Sequence, residues 1–456
     1  MTSFRPHRVP ADDGLEDQVP VRVLELELSA PIEPVSLRIA GASGFYTRAL
    51  CLVRLHGRPL ELVWLDPDRS GIDGREEIAR GSVARQIWAA AGAHIRSHLA
   101  ADGQLQTDSV PVRGLRPSAQ PACVAARDAV RARARPASVV VATRERPAAL
   151  QRCLESLLEL DYPRYEIVVV DNAPRTSATR ELVKRDRFRH RVRYVCEPRP
   201  GLAAAHNRGV AEASGTFIAF TDDDVTVDRL WLLELARGFG LADGVACVTG
   251  LITPAELETR AQLLAERLWG FNKGFRERIF DRHTGHDDVL YPYTAGTFGS
   301  GANMAFDAEV LRRLDGFDPA IGAGTVARGG DDLSMFFTVI SAGYRLVYQP
   351  AAFVRHAHHA DPAALERQAY GYGVGLTAFL TKAILDQPGR ILELARLSPR
   401  GAARVLDPRG GRRARGSGGD GFEPPAHLTR AERRGMLYGP TAYLRSRRQA
   451  RGYGRL

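Results

Sequence analysis

Residues 215–228 read GTFIAFTDDDVTVD. The apolar run Phe217-Ile218-Ala219-Phe220 stops at three adjacent aspartates, Asp222, Asp223 and Asp224. Adjacent like charges repel, so a strand that ends this way calls for a cation nearby. Side chains alternate along an extended chain. Asp222 and Asp224 therefore point the same way and can share a hard divalent cation, which prefers oxygen ligands. Asp223 points elsewhere and can reach a ribose or sugar hydroxyl. An acidic surface turn capping a helix near Asp228 is the plainer reading of the same residues. The regular oxygen ligands of an EF-hand calcium loop are missing.

Strand and helix patterns alternate upstream of this stretch. ASVVVAT (137–143) is a short buried-type strand. PAALQRCLESLLEL (147–160) places Leu150, Cys153, Leu154, Leu157 and Leu158 at helical spacing, with Pro147 suited to a first turn. Strand EIVVV, a polar helix near 176–186, strand VRYVC, helix GLAAAHNRGVAEA and strand TFIAF follow. This order predicts an α/β unit with a parallel sheet and helices on its faces. Ligands of such sheets bind beyond the C-terminal strand ends. Those ends hold Thr143 to Arg146, Asp171-Asn172 and Asp222 to Asp224.

Downstream, two glycines precede Asp331-Asp332 and an amphipathic helix. An aspartate at a helix start accepts orphan N–H bonds and stays ionised there. Two exceed what one cap needs, and one could act as general base towards an incoming hydroxyl. PAAFVRHAHHAD (350–361) sets His356 and His358 on one side of a strand. An imidazole can complete the coordination of a manganese-like ion that carboxylates begin. In FGSGANMAFDAEVLRRLDGFD (298–318), glycines around Ser300 let the backbone approach a ligand closely. A tight loop is the alternative there, with Ala302 to Phe306 a strand and Asp307 a helix cap.

The flanks carry no comparable pattern. Residues 1–110 read as a small α+β accessory domain. VRVLELELSA alternates like a half-buried strand, ALCLVRLHGRPLELVWL gives two strands joined by a His-Gly-Arg-Pro turn, and a helix follows. Residues 111–136 are a linker with a short helix, 137–360 the catalytic domain, and 361–456 a helical extension with an Arg-rich tail. The five cysteines (Cys51, Cys123, Cys153, Cys196, Cys247) form no CxxC pair. That fits reduced cytosolic thiols better than a disulfide framework or a zinc site. The N-terminal residues have no apolar central region of a secretory signal. The net charge of +10 lies largely in the tail. It is weak evidence for nucleic acid, since the tail lacks interleaved aromatic residues apart from Tyr443 and Tyr453.

Taken together, VVVATRERPAALQRCLESL, EIVVVDNAP, PGLAAAHNRGVAEASGTFIAFTDDD, GSGANMAF, LDGFDPAIGAGTVARGGDDLSM and YRLVYQPAAFVRHAHH resemble, in order, the inverting family-2 glycosyltransferases of GT-A fold. The resemblance covers about residues 137–360. It implies a nucleotide-sugar donor and a divalent metal, Mn2+ or Mg2+. It assigns metal and diphosphate to Asp222 and Asp224, with His356 (alternatively His358) as the late histidine. It assigns the nucleoside to Thr143, Arg146, Asp171 and Asn172, with Arg175 close by. Glu197 matches an acidic position before a glycine, and His206 replaces a nucleotide-binding arginine. Asp223 would contact the donor, and Ser300, Gly301 and Asn303 would shape the sugar and acceptor pocket. Asp331-Asp332 stands where the family has Glu-Asp, and Asp332 would be the base.

The expected reaction is one in-line displacement, with inversion, onto a glycan, lipid-linked or small-molecule acceptor, in envelope glycan or glycoconjugate synthesis. A metal-dependent nucleotidyltransferase and a nucleic-acid-binding protein are the alternatives; VATRERP lacks the glycine of a phosphate loop, and no nucleic-acid partner is expected. The expected location is cytoplasmic. The apolar segment 371–385, too short to span a bilayer, and the arginines at 412, 413, 415, 445, 447 and 448 suggest peripheral contact with the inner membrane face.

Overall fold

The computed structural model describes residues 18–67, 76–283, 290–389 and 424–452. The N-terminal unit contains β1 (Val21–Glu27), β2 (Val35–Ser36), β3 (Arg48–Leu55), β4 (Arg58–Leu65), β5 (Glu77–Ile78) and α1 (Arg80–Ala101). β1 pairs parallel with β3, and β3 pairs antiparallel with β4. The β3–β4 turn is His56-Gly57 alone, shorter than the four-residue turn expected, because Arg58 and Pro59 already belong to β4. Both turn residues have positive φ, 53° and 78°. That geometry matches the twist of paired strands, and holding a histidine in it costs conformational energy.

One face of this small sheet packs on Ile87, Ala91, Ile95 and Leu99 of α1. The other face, through Leu50, Leu52 and Leu62, shares a core with Leu251, Leu257, Phe353, Leu365 and Leu428. The N-terminal unit is therefore joined to the rest by apolar packing, not only by chain. The linker helix α2 (Ala122–Ala132) follows.

The central unit runs β6 (Ala137–Thr143), α3 (Pro147–Leu158), β7 (Tyr165–Asn172), α4 (Ala178–Val183), β8 (Val192–Glu197), α5 (Leu202–Glu212), β9 (Phe217–Asp222), β10 (Val225–Val227), α6 (Trp231–Gly238), β11 (Val245–Pro254), α7 (Arg260–Trp269), β12 (Arg278–Phe280), β13 (Asn303–Asp307), α8 (Ala308–Arg313), α9 (Asp331–Ser341) and β14 (Arg345–His356). Its nine-stranded sheet has the order β10-β14-β11-β13-β9-β6-β7-β8, with β12 also on β14. β8, β7, β6, β9, β11 and β14 run one way, and β10, β12 and β13 run against them. The sheet is mostly parallel, as the alternation of strands and helices predicts. Successive residues of β6 serve opposite layers: Val139 and Val141 join Leu150 and Leu154 of α3, while Val140 joins Ala203 and Val210 of α5. Burial on both faces explains why this strand is apolar throughout.

α10 (Pro362–Asp386) and α11 (Ala426–Gly452) close the fold. They approach so closely that a Cβ on Gly435 would overlap the Tyr370 carbonyl. Much of the apolar stretch 371–385 packs into the protein, with Phe379 and Ala383 in the core beside Phe337, while Leu385 is exposed. Arg445, Arg447 and Arg448 lie on α11, where Arg445 and Arg448 are exposed. Tyr443 is buried there and donates to Asp318 Oδ2 at 3.1 Å. Arg412, Arg413 and Arg415 lie outside the described residues. Among the described residues, no helix is long and apolar enough to cross a membrane.

Candidate active site

β9 ends at Asp222, and Asp223-Asp224 form the turn into β10. β10 pairs with the end of β14, setting Val225 opposite His356. The pairing brings the late histidine to the aspartates: His356 Nε2 lies 3.4 Å from Asp224 Oδ1. Ligand atoms of Asp222, Asp224 and His356 all lie within 4.8 Å of one another. Asp224 Oδ1 is buried and accepts no hydrogen bond. Burial pushes His356 down to about 4, against the pull of Asp224, so its ring is neutral and able to ligate. Two carboxylates, a neutral imidazole and an unpartnered buried oxygen fit a divalent cation.

Asp223 faces another way. It accepts from Thr143 Oγ1 at 2.7 Å and from Arg146 Nη1 at 2.6 Å. Arg146 Nη2 reaches Asp224 Oδ2 at 2.8 Å. Arg146 thus bridges the β6 end to the acidic turn. Burial raises Asp223 to about 6, with Arg146 opposing. For Asp224 the balance falls the other way: burial opposes ionisation, but His356 and Arg146 hold the carboxyl below its usual range.

Asp331 and Asp332 open α9, after Gly330 at φ 88°. Asp332 Oδ2 accepts from Gly301 N at 2.9 Å, and its Oδ1 from Leu333 N at 2.8 Å. The glycine loop therefore positions the second acid, and a Cβ on Gly301 would come within 3.3 Å of Asp332 Cβ. Burial raises Asp332 above the usual carboxylate range, with those N–H groups opposing. Asp331 is raised to about 7 by burial and then by Asp332. Asp222 is pushed well up by burial first, then by Asp224, Asp223, Asp331 and Asp332. The two acidic groups, more than a hundred residues apart in sequence, share one electrostatic site.

Other residues singled out in the sequence hold the crevice in shape. Asp171 accepts from Tyr194 Oη at 3.0 Å, and burial raises its carboxyl. Asn172 accepts from Gly201 N at 2.9 Å and donates to Arg199 O at 2.7 Å, tying β7 to the β8–α5 loop. Glu197 is paired with Arg199 at 2.8 Å. Arg175 is exposed, and its N–H donates to Glu145 Oε1 at 2.8 Å. Ser300 lies in the loop leading to β13, where its carbonyl accepts from Asn303 N at 3.1 Å.

Two expectations need correction. Asn303 does not shape a sugar pocket: it is fully buried, accepts from Trp231 Nε1 and donates to Leu251 O and Ala352 O. His206 is 2% exposed between Phe220 and Phe317, with Nδ1 3.6 Å from Asp331 Oδ2. It stands behind Asp331, not on a nucleotide-facing surface. His358 is committed to Glu266 at 2.9 Å, which leaves His356 beside the aspartates.

Sequence reasoning also missed Glu145. Its φ is 56°, and its carboxylate accepts from Arg175 N, Thr176 N and Thr176 Oγ1. It joins the loops after β6 and β7. Its position just before the Arg146-Pro147 pair, at the expected strand end, is the signal that could have found it. A cavity of about 430 Å3 beside Asp224, lined by Arg152, Thr226, Glu256 and Arg355, was likewise not foreseen.

Residues 138–314 match the glycosyl transferase family 2 model. A pre-mycofactocin glycosyltransferase of Mycobacterium tuberculosis is 26% identical over 228 residues, covering 49% of this chain and 43% of that protein. The succinoglycan biosynthesis protein ExoM of Rhizobium meliloti is 37% identical over 110 residues, 22% of this chain and 35% of that protein. The chain thus spans less than half the length of either relative. A solved mannosyltransferase from Pyrobaculum calidifontis, in complex with GDP-Man and Mn2+, aligns with a TM-score of 0.41 at 20% identity, over 71% of this chain and 76% of that one. Residues 138–314 of this chain are thus similar to the glycosyl transferase family 2 domain.

Proposed function

We propose that this protein transfers a sugar from a nucleoside-diphosphate sugar to an acceptor hydroxyl, with inversion at the anomeric carbon. The observation that carries this reading is the gathering of Asp222, Asp224 and His356, with the Asp331-Asp332 pair acting on Asp222, in one partly buried site. Asp222, Asp224 and His356 would hold a divalent cation, which offsets charge on a departing diphosphate. Asp332, oriented by Gly301 N and Leu333 N, takes the proton of the acceptor hydroxyl. The acceptor oxygen bonds to the anomeric carbon as the bond to the diphosphate oxygen breaks. Nucleoside diphosphate leaves, and a single displacement inverts the configuration. Arg146 and Thr143 fix Asp223 for contact with the donor.

The test is incubation of the full chain with a panel of nucleotide sugars, with and without Mn2+. Release of nucleoside diphosphate that depends on the ion and on a hydroxyl acceptor is the expected result. Pyrophosphate release, or no turnover with any donor, would overturn the reading. The anomeric configuration of the product, read by NMR coupling constants, tests inversion.

A further inference from the structure

A second cluster lies outside this site. His56 Nδ1 is 2.8 Å from Asp102 Oδ2, His98 Nε2 is 3.2 Å from the same oxygen, and the two ring nitrogens are 3.3 Å apart. Cys123 Sγ is 2.8 Å from Asp102 Oδ2. All four residues are buried, and their candidate ligand atoms lie within 4.8 Å of one another. The fold gathers them from the β3–β4 turn, the end of α1 and the start of α2. His98 and Asp102 are four residues apart, on one face of the α1 terminus.

Hydrogen bonding alone explains the cluster poorly. Three groups converge on one carboxylate oxygen, which offers two lone pairs. The His56 and His98 ring nitrogens also face each other at 3.3 Å beside that oxygen, with the Cys123 sulfur on it too. We propose that His56, His98, Asp102 and Cys123 form a structural zinc site that locks the linker helix α2 onto the N-terminal unit. Two imidazoles, a thiolate and a carboxylate are a closed four-ligand set for Zn2+. Tetrahedral bonds of about 2.0–2.3 Å place ligand atoms roughly 3.3–3.7 Å apart. The His56–His98 and His98–Asp102 separations already approach that range, and the two at 2.8 Å need only open slightly. Charge also balances: one thiolate and one carboxylate neutralise the ion, as a dry interior requires. Arg127 donates to the His56 carbonyl, lies 3.8 Å from Glu234 of α6, and its Nη2 is 3.7 Å from Cys123 Sγ, so it supports the thiolate from outside the set. The clamp therefore extends to the helix packed against β14.

The experiment uses the full chain purified without chelator. Elemental analysis is expected to find one zinc per chain at this site. Co2+ in place of zinc is expected to give visible ligand-field absorption with a thiolate charge-transfer band, which the sulfur-free site at Asp224 cannot produce. Cys123→Ser should abolish that band, and His98→Gln should weaken zinc retention at least about tenfold, whereas Asp224→Ala should alter neither. Chelation should lower the melting temperature. Should Cys123→Ser fail to fold, the wild-type cobalt spectrum decides alone. Absence of zinc after growth in its presence, or a cobalt spectrum without the thiolate band, overturns the proposal and leaves a hydrogen-bond knot.

Discussion

The two ionisable clusters differ in openness and in origin. At the crevice, the His356 and Asp224 side chains keep 14% and 11% of their exposure, and their nearest neighbours include a cavity. In the N-terminal cluster, His56, His98 and Asp102 keep 3%, 7% and 4%, and every side is protein. An open set of ligands leaves coordination positions for substrate, whereas a closed set can only hold structure. The crevice cluster uses neighbours in sequence, Asp222 with Asp224 and Asp331 with Asp332. The closed cluster draws on positions 56, 98, 102 and 123. The open cluster thus sits at the sheet's C-terminal edge, and the closed one lies between the N-terminal unit and the linker helix.

The largest expected effect would break this contrast if it failed. Asp332→Asn nearly keeps shape and removes basicity, so transfer should fall at least about 10²-fold while metal-dependent donor binding stays near wild type. Initial rates and calorimetry measure both. A variant that transfers at close to the wild-type rate removes Asp332 from the role of base.

Next comes the division of labour among the aspartates. Asp224→Ala should lose metal-dependent donor binding altogether. Asp223→Ala should weaken it only about 10–100-fold, because Asp223 is engaged by Thr143 and Arg146. Titration of donor with Mn2+ distinguishes them, and equal losses would mean that the alternation at the β9 end does not set the ligands.

A smaller effect sharpens the line between site and scaffold. Asn303→Ala leaves the Leu251 and Ala352 carbonyls and the Trp231 N–H without their partner. Stability should drop by about 1–3 kcal/mol, measured by chemical denaturation, with donor affinity retained. An unchanged unfolding midpoint combined with lost donor binding would return Asn303 to the pocket. The smallest change is Tyr443→Phe, which removes the hydroxyl bonded to Asp318. A loss of about 1 kcal/mol in the same measurement is expected. No loss would mean that the Tyr443 hydroxyl adds nothing to the hold on α11.

By itself the sequence determined the α/β unit, because Val139 to Val141, Val168 to Val170 and Phe217 to Phe220 are short apolar runs separated by helical periodicity. It also singled out the strand ends where the acidic residues gather. Neighbouring carboxylates at a strand end or a helix start are a local pattern, and local patterns survive in one dimension. Only tertiary structure decided the rest. The antiparallel β10–β14 pairing set His356 beside Asp224, while His358 meets Glu266 from α7. Aromatic packing took His206 out of the crevice, and the core took Asn303. The shared core under Leu50 and Leu62 joined the N-terminal unit to the C-terminal helices. The absence of a CxxC pair argued against zinc, yet Cys123 stands among His56, His98 and Asp102. Ligands brought together by three separate elements leave no spacing to read; chain folding alone sets their distances.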